Sequence, residues 1–464
     1  MMNDAPAANN HNNHNNHLLT DPVPRLLLRL SVPVGIGFFF NTMFNVVDTF
    51  YGGLVSTQAL AVMSLAFPTF FVVIAVGAGI STGATALIGH ALGGGAQADA
   101  CRFSVQSISF GLLHGLLLSL AGPLLTPFLF RWFGAEGDYL SQALSYINVL
   151  LAGAVFFIFN QVLNASLNAS GDTKSFRNFL VTGFFLNLVY DPWFLFGGFG
   201  VPPLGLPGIA WATVAVQVCG NIYLLTRVRR TGLLAGFQPS HLLPRRQTYI
   251  DLARQGFPAS LNMLTVAIGI FVITWFLGRF GKDAVAAYGI AARLEQMALL
   301  PVMGLNIATL ALVAQNSGAG MTGRVRETIK GALVRGVSAM VGVAFFFFFF
   351  ADRLVRLFTR DPRVIAVGTS YLHVAAFVFC AYVILYINVF ALQGLKRPQF
   401  AILIGLYRQF LLPLPVFYLF SRYFGWGVKG IWWGIFLITW SAALISIVYI
   451  RRVMRELPEE KGRA

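Results

Sequence analysis

Three acidic residues stand well inside long apolar stretches of the chain: Asp48, Asp191 and Glu295. A carboxylate in such surroundings costs free energy unless it is paired, hydrated or protonated, which makes it a suspect for ion or proton traffic. Asn187 and Asp191 are spaced so that both lie on one face if their stretch is helical. Counted at about 1.5 Å per residue, Asp191 stands roughly 21 Å from Arg177, and Thr213 reaches a similar depth in the following stretch. With Asp48 these residues form an oxygen-rich, dry, acidic set suited to a hard cation such as Na+ or to a transferable proton. The competing use is hydrogen bonding between helices, commonest for a threonine such as Thr213. Glu295 is a secondary candidate. Arg293, two residues away, does not share its helix face.

The elements that must position these groups are membrane helices. Apolar residues make up 57% of the 464 and charged residues 11%, with a mean hydropathy of +0.71, whereas soluble domains carry about 25% charged residues. A run such as 67–92 has the length and near absence of charge that a bilayer core of about 30 Å demands, and 337–351 forms the uncharged part of a longer span. Twelve spans are expected, near 26–50, 61–91, 104–130, 140–168, 177–198, 206–227, 252–278, 284–315, 330–352, 365–393, 400–421 and 427–450. The net charge of +16 could suggest nucleic acid. With the N-terminus cytoplasmic, however, most of the 33 Lys and Arg fall on the cytoplasmic side, among them Arg227, Arg229, Arg230, Arg245, Arg246, Arg324 and Lys396. That is the positive-inside pattern, and it places both termini in the cytoplasm. Arg293 and Arg408 are the exceptions that fall within spans.

The chain also repeats itself. Residues 33–95 align with 258–320 without a gap, matching Pro33 to Pro258, Thr49 to Thr274, Gly53 to Gly278 and Gly79 to Gly304. Further on, Tyr146 pairs with Tyr371, Phe176 with Phe400, and Gly208 to Trp211 with Gly430 to Trp433. The fold class expected is an all-α integral membrane protein with twelve transmembrane helices in two pseudo-symmetric six-helix lobes. The lobes are parallel repeats, with the substrate path between them. The divisions expected are a disordered polar tail over 1–24, an amino-terminal lobe over 25–227, a cytoplasmic linker over 228–250, a carboxy-terminal lobe over 251–452 and a cytoplasmic tail over 453–464. Asp48 aligns with Ile273, Asn187 with Leu411, Asp191 with Pro415 and Thr213 with Ile435, so only the first lobe keeps the polar set.

These residues resemble the multidrug and toxic compound extrusion (MATE) transporters over nearly the whole chain after the tail. Pro33 through Asp48-Thr49 and Gly53 looks like the family's first span, and Asn187-Leu-Val-Tyr-Asp191-Pro192 is similar to its fifth-span motif. The resemblance implies that Asp48, Asn187, Asp191 and Thr213 bind the coupling ion, Na+ or H+, in the amino-terminal lobe. The branch with acids in the seventh and tenth spans is not matched, since neither span carries one here. The family implies export of mainly cationic, amphipathic compounds by antiport.

Rival functions are a lipid-linked oligosaccharide flippase, which would want a basic cavity, and an uncoupled channel. No paired-acid, His-Glu or Walker A motif supports an enzyme. Cys101, Cys219 and Cys380 have neither disulfide nor metal-ligand spacing. His11, His14 and His17 could hold a metal but read as part of a polar tail. Phe38, Phe39, Phe40, Phe156, Phe157 and Phe159 could stack on a flat substrate, although lipid-facing packing is commoner. No cofactor is expected beyond the coupling ion. The partners expected are membrane lipid and a small-molecule substrate, without nucleic acid, for a monomer in a bacterial-type inner membrane.

Overall fold

The computed structural model describes residues 16–198 and 200–457. Apart from one bridge between Gly198 and Val201, those residues hold no β-structure. Among the described residues, twelve helices are long and apolar enough to cross a membrane. They are α1 (Val23–Val55), α2 (Thr57–Gly93), α3 (Gln97–Trp132), α4 (Gly137–Ala169), α5 (Thr173–Phe196), α6 (Leu206–Arg230), α7 (Arg246–Gly278), α8 (Lys282–Gly318), α9 (Thr322–Arg356), α10 (Pro362–Gly394), α11 (Gln399–Tyr423) and α12 (Val428–Glu456). Most extend beyond the apolar cores that define them in the sequence, because the backbone continues its own hydrogen bonding past the edge of the hydrocarbon.

Two large cores correspond to the two halves, but they do not divide cleanly at the linker. Val23, Leu26, Leu27 and Leu30 at the start of α1 pack in the core of the second lobe, and Leu252 at the start of α7 packs in the core of the first. Leu27 and Leu252 stand in the same register of the repeat, so each lobe sends the foot of its first helix into the other.

The two lobes are sealed at the end that carries the linker. A Cβ at Gly79 would collide with Ser260, one at Gly93 with the Gln315 backbone and one at Gly304 with the Ser31 backbone, while one at Gly83 would stand 2.7 Å from the Gly256 nitrogen. Glycine at these positions lets helix backbones touch, as at other close membrane-helix crossings.

The tail expected over residues 1–24 needs correction where it is described. His17–Thr20 forms a helical turn with Leu18 and Leu19 buried, and α1 begins at Val23. Arg324 fastens this segment by donating to the Leu18 and Asp21 carbonyls at 3.3 and 2.8 Å. Asn16 donates to Gln315, which in turn donates to the Ala169 carbonyl, so the segment ties into both lobes. The apolar faces of Leu18 and Leu19 account for the order that a polar composition hid. His11 and His14 lie outside the described residues.

Candidate functional site

Close backbone packing places the first-lobe carboxylates. A Cβ on Gly37 of α1 would stand 3.3 Å from the Arg177 Cα of α5. One on Gly183 would stand 3.1 Å from Val216 of α6, and one on Gly208 would press against the Phe194 carbonyl at 2.5 Å. Small residues on α1, α5 and α6 thus bring three helices together with little side-chain bulk between them. Asp48 and Asp191 lie about two turns or less from the C-terminal ends of α1 and α5, and Thr213 about two turns from the N-terminal start of α6, all at the end far from the linker.

Asn187 joins the two acids. Its Nδ2 donates to Asp48 Oδ1 at 2.9 Å and to Asp191 Oδ1 at 2.9 Å. Asn187 and Asp191 are fully buried, and Asp48 and Thr213 nearly so. The Thr213 hydroxyl stands beside Asp48 and is also within hydrogen-bond distance of the Ile209 carbonyl, at 2.9 Å. Asn187 Oδ1 and Asp191 Oδ2 are enclosed and accept no hydrogen bond from the described residues. Four side chains therefore converge as expected, with oxygen acceptors left over. Enclosed acceptors without donors are destabilising unless a water, a proton or a cation completes them, and this set of carboxylate, amide and hydroxyl oxygens fits a hard cation or a proton.

Sequence reasoning missed Tyr146. It is buried and close enough to Asp48 and Asp191 to interact with both electrostatically. Its pairing with Tyr371 was the available signal, because Tyr371 has the corresponding place in the other lobe, where its hydroxyl donates to Glu295 at 2.5 Å. Glu295 does not join the first-lobe set. It lies on α8 among Tyr371, Tyr382 and Arg408, while Arg293 is exposed and forms no ion pair among the described residues.

The aromatic candidates divide. Phe157 packs edge-on against Phe70 at 4.9 Å and Phe40 against Phe184 at 5.5 Å, whereas Phe39 is exposed. The three cysteines are free.

Comparisons with known proteins bear on the family and the fold. The MatE family model matches residues 33–193 and 258–419, the two copies of the internal repeat. A protein of Shewanella oneidensis named FAD transporter is 31% identical over 89% of this chain and 91% of its own. The probable multidrug resistance protein NorM of Thermotoga maritima is 27% identical over 88% of each. A solved structure described as the outward-facing conformation of a multidrug resistance MATE family transporter superimposes with a TM-score of 0.87 at 25% identity, covering 95% of this chain and 98% of the other.

Proposed function

The chain belongs to the MatE family of membrane transporters, and from that premise we propose that it is a cation-coupled antiporter exporting small organic molecules, with Na+ or H+ bound by Asp48, Asn187, Asp191 and Thr213. The observation that carries this reading is the Asn187 bridge between two buried carboxylates beside acceptors that lack donors.

The positive-inside pattern supports placing the linker and both termini in the cytoplasm. In that orientation the lobes are sealed inside and the acidic site lies toward the outer face. Cation entry from outside then alters the packing of α1, α5 and α6. Coupling follows if the ion binds one lobe arrangement more tightly than the other, because an ion of equal affinity for both shifts nothing. The named relatives point to multidrug compounds on one side and to FAD on the other, so the amphipathic cations expected from the sequence are one substrate class to assay and flavin nucleotides a second.

The test is efflux from proteoliposomes under separately imposed pH and Na+ gradients, comparing wild type with Asp191→Asn. Gradient-driven efflux in wild type and its loss in the variant is the expected result. Coupled efflux that survives in both Asp48→Asn and Asp191→Asn would remove the site assignment. Movement of substrate down its own gradient only would favour a channel.

A further inference from the structure

The second lobe holds a cation that the coupling site does not use. Arg408 stands in the middle of α11, where a guanidinium within a membrane span is costly without partners. Its neighbours Leu403, Leu406 and Phe410 are exposed, whereas Arg408 is buried, so the guanidinium is turned into the lobe. A widened turn over Tyr407–Leu411 sets this aim, closed by the Leu412 N–H donating to the Tyr407 carbonyl at 3.0 Å. Pro413 and Pro415 follow and have no amide hydrogen to continue a regular ladder. Such a turn shifts the phase of the side chains around it, and wide turns of this kind recur at functional sites.

Inside the lobe the guanidinium meets two nearly parallel phenol rings. Tyr382 and Tyr386 are stacked with centroids 5.9 Å apart and planes at 8°. The Arg408 Cζ lies 5.3 and 5.5 Å from these centroids, and Nη2 donates to Tyr386 Oη at 3.2 Å. Among the described residues Arg408 has no other hydrogen bond and no ion pair. Its Nε and Nη1 have no hydrogen-bond partner among the described residues and are not fully enclosed, so they remain available to a ligand. The nearby carboxylate of Glu295 accepts from Tyr371 and acts on Arg408 only through its field.

We infer that the second lobe recognises a planar aromatic anion, with Arg408 taking its phosphate or carboxylate and the Tyr382–Tyr386 pair flanking its ring. A planar guanidinium suits two-point binding of either acid, and phenol rings offer stacking or edge contacts to a flat body. This rests on the exporter reading and narrows its substrate class. In the repeat, Arg408 aligns with Phe184 and Glu295 with Phe70, so the first lobe has no equivalent site.

The experiment is equilibrium binding to the purified full chain in detergent, read by fluorescence. The probes are flavin mononucleotide, riboflavin with the same ring and no phosphate, and ethidium as a planar cation. Flavin mononucleotide should bind wild type more tightly than riboflavin. Arg408→Gln should weaken it by about tenfold or more, the worth of a charge-assisted hydrogen bond, leave riboflavin unchanged and not weaken ethidium. Arg408→Lys should fall between, and it carries the test if the glutamine variant does not fold. Glu295→Gln should tighten nucleotide binding by removing a repelling charge.

Equal affinity for the two flavins, an Arg408→Gln variant that binds the nucleotide normally, or a Glu295→Gln variant as defective as Arg408→Gln would each overturn the inference. Displacement of the nucleotide by phosphatidylglycerol, with riboflavin undisturbed, would make a lipid phosphate the occupant and overturn the aromatic assignment. Binding needs no gradient. Its failure beside intact gradient-driven efflux removes this inference alone, and its success beside uncoupled efflux removes only the coupling reading.

Discussion

The two lobes share one six-helix plan and differ where charge enters it. In the first, α5 runs as a continuous helix and carries Asn187 and Asp191 toward Asp48. In the second, α11 is interrupted by two widened turns, and the positions of those acids hold Ile273 and Pro415. Its charges are instead Glu295 and Arg408, set among tyrosines and Trp432. One feature is common to both, a repeat-matched tyrosine beside the lobe's carboxylate. A parallel repeat thus preserves the helix packing while leaving each lobe free to carry a different ligand chemistry.

The strongest way to break this contrast is to neutralise the first lobe. Asp48→Asn or Asp191→Asn should insert normally yet lower gradient-driven efflux by ~100-fold or more, since driving a two-state exchange takes several kcal/mol of differential ion affinity. Efflux rates in proteoliposomes decide this. The converse is to give the second lobe an acid. Ile273→Asp in the Asp48→Asn background should not restore coupling and should cost about 3 kcal/mol of stability, because the repeat mates of Asn187 and Thr213 are the apolar Leu411 and Ile435. Thermal melting together with efflux reads both parts, and rescue would show that the lobes are interchangeable.

A third change loosens the seal between the lobes. Gly79→Val places a side chain where Ser260 already stands, so it should destabilise this closed arrangement by ~1–3 kcal/mol. Labelling of a cysteine introduced near the linker should rise in parallel. The smallest effect is expected from Tyr371→Phe. Removing one hydrogen bond to Glu295 should lower stability by ~1 kcal/mol and leave coupling in place. A collapse of coupling there would move the ion site into the second lobe.

Much of the first-lobe site was legible in the sequence because its signals are local or arithmetical. The four-residue spacing of Asn187 and Asp191 follows from helix geometry, and the loss of each polar residue at its repeat mate singled out Asp48 and Thr213. Tyr146 escaped notice because a tyrosine shared by both halves reads as packing. Arg408 was visible only as an exception to the distribution of basic residues. Its inward aim depends on a wide turn that periodicity cannot reveal, and its setting depends on tyrosines from α10. The crossing of Leu27 and Leu252 into opposite cores was likewise hidden, since an apolar residue near a helix start does not say which core receives it.

Composition and periodicity by themselves determined the twelve spans, their repeat and the rarity of charge within them. The reason is physical: a lipid solvent requires every spanning backbone group to be satisfied within its own helix, so spans are written as continuous apolar runs. Only the tertiary structure decided which spans turn their polar faces toward one another. The rotation and tilt of a membrane helix are set by the neighbours it packs against. It therefore took the glycine contacts of α1, α5 and α6 to bring Asp48 within a hydrogen bond of Asn187, a residue 139 positions away in the chain.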